Sequence, residues 1–170
     1  SWGNGAAMRV SPVAYAFDNR PRVLEEAEKS ASFTHNHPEG IKGAQAIALA
    51  VYLARNQHSK TAIKQELEEI FGYDLDRSIE TIRPQYSFDT SSQGSVPEAV
   101  ICFLESTGFE DAIRNAISIG GDSDTIAAMA GAIAEAFYKQ IPEEIEAKAM
   151  KLLPRRFIQI IDRFHAKFID

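Results

Sequence analysis

The stretch Gly120-Gly121-Asp122-Ser123-Asp124-Thr125-Ile126-Ala127-Ala128-Met129-Ala130-Gly131-Ala132-Ile133-Ala134-Glu135-Ala136-Phe137-Tyr138 joins an acidic turn to the most apolar segment of the chain. Small and branched apolar side chains cover most of the helical surface over residues 125–138, which predicts a central packing helix. The apolar run is interrupted by Glu135 and is too short to span a bilayer, so it reads as a core helix. Working outward, Ala44, Ile47, Ala48 and Val51 form one face of a helix over residues 42–55. Ala46, Leu49, Ala50 and Leu53 cover much of the rest, making it a second buried element.

Helical periodicity continues on both sides, and strand-like alternation is nearly absent. Residues 6–17 read as a helix bent at Pro12, and Pro21 opens another that ends near Ser30. Residues 61–71 form a short amphipathic helix stopped by Gly72. After a loop-rich stretch over residues 83–97, Pro97 is placed to open a helix reaching about Ser106, followed by a short one over residues 109–117. Pro142 starts another short helix. The last, residues 154–168, sets Phe157, Ile160, Ile161, Phe164 and Phe168 on one side as a core-facing stripe. The fold class is therefore all-α, and residues 1–170 are expected to form one domain.

Composition narrows the function classes. Net charge is −6, from 24 acidic and 18 basic residues, so there is no long-range attraction to nucleic acid or an anionic membrane, and neither partner is expected. The single cysteine, Cys102, forms no intramolecular disulfide and is too little sulfur for a thiolate zinc site, which points to a reducing, cytoplasmic setting. The opening Ser1-Trp2-Gly3-Asn4-Gly5 has no initiator Met and no signal-peptide pattern, as expected of a fragment or processed product.

Asp122, Asp124 and Thr125 can aim several hard oxygens from one turn at a single point, which suits magnesium, manganese or calcium. The two glycines before them permit positive φ. Helix capping by Asp122 or Ser123 is the competing reading. Against capping as the whole account, a cap needs one acceptor, whereas three candidate ligands flank the start of the most apolar helix, where unpaired carboxylates are costly to desolvate. An EF-hand is excluded, because Ile126 holds the fifth position and the required glycine and distal glutamate are missing.

Two loops complete the candidate set. Gly3-Asn4-Gly5 at a helix entrance can present backbone N–H groups and the Asn4 amide to a sugar or phosphate, or form an ordinary turn. His35-Asn36-His37-Pro38-Glu39-Gly40 reads as a loop whose histidines bind metal or phosphate, or are simply exposed.

In chain order these segments resemble the ADP-ribosylglycohydrolase family, which includes the dinitrogenase reductase-activating glycohydrolase and the ADP-ribosyl-acceptor hydrolases. The resemblance rests on Ser1-Trp2-Gly3-Asn4-Gly5-Ala6-Ala7-Met8-Arg9, on Thr34-His35-Asn36-His37-Pro38-Glu39-Gly40, and most specifically on Ser118-Ile119-Gly120-Gly121-Asp122-Ser123-Asp124-Thr125. Gln93-Gly94-Ser95-Val96-Pro97-Glu98-Ala99 resembles a further family segment to which no role is assigned. The resemblance covers essentially the whole chain and corresponds to roughly the C-terminal two-thirds of a family domain.

It implies a compact orthogonal multi-helix domain with two Mg²⁺ or Mn²⁺ ions at the base of a cleft that binds the distal ribose of ADP-ribose. Asp122, Asp124 and Thr125 match the family's C-terminal metal ligands. Gly3, Asn4 and Gly5 resemble the loop that holds phosphates and ribose, His35 matches the histidine beside the substrate, and Trp2 stands where the family often has an aromatic. The remaining metal ligands, in a Thr-Asp-Asp-Thr-like motif, and the catalytic acid/base are expected on an N-terminal segment of the same domain that is missing from this chain, making that segment a partner. The implied activity is dimetal-dependent hydrolysis of the glycosidic bond between ADP-ribose and a protein or small-molecule acceptor. The alternatives are a non-catalytic ADP-ribose-binding or structural protein on the same fold, and, more distantly, a zinc hydrolase using His35, His37 and Glu39.

Overall fold

The computed structural model describes residues 1–169. A 3-10 turn at Ala7–Arg9 is followed by α1 (Ser11–Ala16), α2 (Arg20–Ser32), α3 (Pro38–Arg55), α4 (Lys60–Phe71), α5 (Ile79–Ile82), α6 (Ser92–Leu104), α7 (Phe109–Ser118), α8 (Ser123–Tyr138), α9 (Glu143–Leu152) and α10 (Arg155–Phe168). The fold is all-α; the extended pairing among the described residues is an isolated antiparallel bridge between Gly3 and Ser91. Among the described residues no helix is long and apolar enough to cross a membrane.

The core is built around α3 and α8, which pack on each other. Helices α1, α2, α4 and α6 pack against α3, and α6 and α7 against α8. Small residues bring the axes close. A Cβ at Gly43 of α3 would meet Ser92 Oγ at 2.8 Å, and one at Gly131 of α8 would meet Ile113 Cδ1 at 2.8 Å. Ile47, Leu49 and Val51 of α3 and Ile126, Met129 and Ile133 of α8 are fully buried.

Local chemistry sets most boundaries. Asn19 Oδ1 accepts from Arg22 N at 3.0 Å at the start of α2, and Ser59 Oγ accepts from Ala62 N at 3.2 Å at the start of α4. Gly72 ends α4 in the left-handed region at φ 65°. His37 is not a free loop residue: its Nδ1 accepts from Glu39 N at 3.2 Å and caps α3, which begins at Pro38.

Three expectations are corrected, and one helix is added. Residues 6–17 form two pieces, the 3-10 turn and α1, with Pro12 in the first turn of α1, where its missing N–H has no intrahelical partner to lose. The short helix α5 lies between α4 and α6; Ser78 and Thr81 close a reciprocal capping box at its start. Pro97 lies inside α6 rather than opening it, because the helix starts five residues earlier, where Ser91 Oγ accepts from Gly94 N at 3.1 Å. The stripe on α10 is not core-facing: α9 and α10 bury no residue, and Phe157 and Ile160 are 42% and 52% exposed. Of the stripe, Ile161, Phe164 and Phe168 are half-buried, as is Ile158 beside it.

Candidate functional site

Gly120 and Gly121 take φ of 76° and 67°, so the chain leaving α7 reverses abruptly into α8. This throws Asp122, Ser123 and Asp124 to the N-terminal end of α8. Asp122 stands at the N-cap position with φ −79° and ψ 58°, yet its side chain makes no capping bond. The capping reading therefore does not account for its carboxylate. Asp122 Oδ2 instead accepts from Asn4 Nδ2 at 2.7 Å.

Asn4 is buried, and its side-chain amide is spent inside the protein, donating to Ser95 Oγ at 3.1 Å as well as to Asp122. The loop around it is fastened to the start of α6. Asn4 N donates to Thr90 O at 2.8 Å, Ser92 N to Trp2 O at 2.8 Å, and Ser92 Oγ to Gly3 O at 2.9 Å. The segment Gln93 to Ala99 thus belongs to the N-terminal half of the helix that anchors the Trp2-Gly3-Asn4 loop. Trp2 is 58% exposed and meets His37 edge-on, with ring centroids 5.7 Å apart.

His35 lies over the same loop from the other side. A Cβ at Gly5 would stand 3.0 Å from His35 Nε2, and one at Gly3 would stand 3.6 Å away, so the glycines leave room for the imidazole edge. Burial first, then the positive charges of Arg9 and the chain's amino terminus, hold the His35 pKa below the usual histidine value. The loop therefore touches both other candidate segments: Gly5 lies under His35, and Asn4 reaches Asp122.

The donor set at the turn suits a hard cation. Among the described residues, Asp122 Oδ1 and Asp124 Oδ2 accept no hydrogen bond, and neither carboxylate has a cationic partner. Asp124 Oδ1 accepts from Thr125 N at 2.9 Å, and Thr125 Oγ1 lies 3.8 Å from Met8 Sδ, bringing the 3-10 turn against the start of α8. Among the described residues no group of three or more His, Cys, Asp or Glu is arranged to hold a metal by itself.

Tyr86 is a further member that residue spacing does not reveal. Its OH donates to Gly94 O at 2.9 Å, and its ring lies against Gly121, where a Cβ would stand 2.9 Å from Tyr86 Cδ1. Burial, with the negative charges of Glu98, Asp89 and Asp122, raises the Tyr86 pKa, so the phenol keeps its proton for that bond.

The family model described as ADP-ribosylglycohydrolase matches residues 1–169. The chain belongs to the ADP-ribosylglycohydrolase family. It is 33% identical over 192 residues to the ADP-ribosylhydrolase ARH3 of Homo sapiens, covering 84% of this chain and 52% of that protein. It is 29% identical over 140 residues to the ADP-ribosyl-[dinitrogen reductase] glycohydrolase of Rhodospirillum rubrum, covering 80% and 46%. Among solved structures, an ADP-ribosylglycohydrolase-related protein complex superposes with a TM-score of 0.68 at 29% identity, covering 84% of this chain and 53% of that one. This ADP-ribosylglycohydrolase-family chain spans about half the length of the curated relatives it matches.

Proposed function

We propose that residues 1–170 are one helical portion of an ADP-ribosylglycohydrolase domain that hydrolyses the glycosidic bond between ADP-ribose and a protein or small-molecule acceptor. The observation that carries this reading is the Asn4–Asp122 hydrogen bond, which joins the loop proposed to hold the nucleotide to the turn proposed to hold metal.

Asp122, Asp124 and Thr125 are assigned to Mg²⁺ or Mn²⁺. Two such ions, when bound, supply Lewis-acid polarisation of ligand oxygens and stabilise charge that develops in the reaction. The remaining ligands and the catalytic acid/base are assigned to the part of the family domain outside this chain. Within it, Gly3, Asn4 and Gly5 shape the floor under the diphosphate and ribose, His35 faces that floor, and the exposed indole of Trp2 offers a flat apolar surface at its edge. These groups bind and orient, and none is given a proton-transfer role.

The test is release of ADP-ribose from an ADP-ribosylated protein by the full-length protein, with manganese and with chelator. Metal-dependent release is expected. ADP-ribose binding without turnover would instead establish the non-catalytic reading on the same fold.

A further inference from the structure

Arg9, Thr34 and His35 form a short chain of hydrogen bonds beside the loop. Arg9 Nη1 donates to Gly5 O at 2.7 Å, Arg9 Nη2 donates to Thr34 Oγ1 at 2.6 Å, and Thr34 Oγ1 stands 2.7 Å from His35 Nδ1. We propose that Arg9 and Thr34 are positioning residues that fix the tautomer of His35, leaving Nδ1 bare and placing the ring's single hydrogen on Nε2, where it faces the Gly3-Asn4-Gly5 loop. The use of that N–H, donation to a sugar or phosphate oxygen of the ligand, rests on the functional reading above.

The assignment follows from counting donors. A guanidinium only donates, so Arg9 occupies one lone pair of Thr34 Oγ1. The threonine hydroxyl has one hydrogen to place. If His35 Nδ1 carried a proton, it would take the second lone pair, and the exposed hydroxyl hydrogen, with no protein acceptor among the described residues, would be left to solvent. If Nδ1 is bare, the hydroxyl donates to it and the Arg9–Thr34–His35 chain is matched within the protein, with an acceptor already in place at 2.7 Å. Polarisation of the hydroxyl by the Arg9 charge strengthens that donation.

The electrostatics act in the same direction. Partial burial, and after it the positive charge of Arg9, disfavour imidazolium and so favour the neutral ring, for which the tautomer is meaningful. The geometry then gives the remaining N–H a direction. Nε2 is the ring atom nearest a Cβ built at Gly5, at 3.0 Å, so it points toward the loop while Nδ1 points to Thr34. Because one guanidinium holds both Gly5 O and Thr34, the loop and the imidazole are set relative to each other by a single side chain.

The experiment is long-range proton–nitrogen NMR of the full-length protein labelled with nitrogen-15 at histidine, with His35→Gln identifying the His35 signals. It is combined with ADP-ribose titration of Thr34→Val and Thr34→Ser. Valine keeps the shape but cannot donate, whereas serine restores the hydroxyl. The wild type and Thr34→Ser are expected to show the Nε2–H tautomer. Thr34→Val is expected to show a mixture and to bind ADP-ribose about twofold more weakly, the loss set by the fraction of molecules that no longer carry the Nε2 hydrogen. An Nδ1–H tautomer in the wild type, or a Thr34→Val protein with unchanged tautomer and affinity, overturns the proposal. An Nε2–H tautomer that Thr34→Val disturbs, in a protein that does not bind ADP-ribose, upholds the relay and removes the ligand reading instead.

Discussion

Asn4 Nδ2 lies 2.7 Å from Asp122 Oδ2, a hydrogen bond between residues 118 positions apart. It ties the first turn of the chain to the entrance of its most apolar helix. An amide donor that orients a carboxylate restricts where the free oxygen points, and loss of such a support typically weakens metal binding by 10–100-fold. Asn4→Ala in the full-length protein is therefore expected to lower manganese affinity by about tenfold in calorimetric titration. Unchanged metal affinity with weaker ADP-ribose binding would assign Asn4 to the ligand alone.

The carboxylates can be tested without disturbing the helix, because Asp122 makes no capping bond. Asp122→Asn keeps an oxygen for Asn4 but loses the charge, and Asp124→Asn keeps an oxygen for Thr125 N. Each is expected to weaken manganese binding about tenfold or more while leaving helical content and melting temperature near wild type. Equal affinity in wild type and both variants would remove the metal assignment.

The paired glycines should respond unequally. Both have positive φ, but a Cβ at Gly120 meets nothing within 4 Å, whereas one at Gly121 runs into the Tyr86 ring and Ser87 O. Gly120→Ala is expected to cost about 1 kcal/mol from backbone strain alone. Gly121→Ala is expected to cost roughly 2–4 kcal/mol, because strain and overlap add. Urea denaturation of both variants decides it, and equal losses would mean that Tyr86 yields without cost.

How much of this was legible in the sequence depends on whether the decisive contact was local. The end of α4 at Gly72, the acidic turn after Gly120-Gly121 and the burial of α3 and α8 follow from residues within one or two turns of each other. The start of α6 does not. Pro97 is a sound first residue by local rules, and so is Ser92 behind a Ser91 cap; what selects Ser92 is its pairing with Trp2 O and Gly3 O across the chain. On α10 the apolar stripe was visible but its surroundings were not, since periodicity marks a face without saying what covers it. Asp122, Asp124 and Thr125 stood out through hard-oxygen chemistry at close spacing. Tyr86 and the Arg9–Thr34 bond carry no such pattern and emerge only when the chain is folded.

At the other end of α8, Glu135 lines a cavity of about 510 Å³ with Tyr15, Arg55, Lys139, Glu146 and His165. Burial raises its carboxyl pKa above the ordinary value of 4.5; the His165 charge opposes the shift and Glu146 adds to it. A raised folded-state pKa means that the native protein holds this proton more tightly than the unfolded chain does. Stability from this group is therefore present at low pH and is lost as pH rises from the ordinary carboxylate range through the folded-state pKa. Glu135→Gln removes the charge that must be buried above that window. The variant is expected to melt higher than wild type at about pH 7, with the gap closing toward about pH 4 as the wild-type carboxyl becomes protonated. Melting curves followed by circular dichroism across that range provide the measurement. A variant less stable than wild type at neutral pH would show instead that the ionised carboxylate is held favourably by Arg55 and His165, reversing the sign argued from burial.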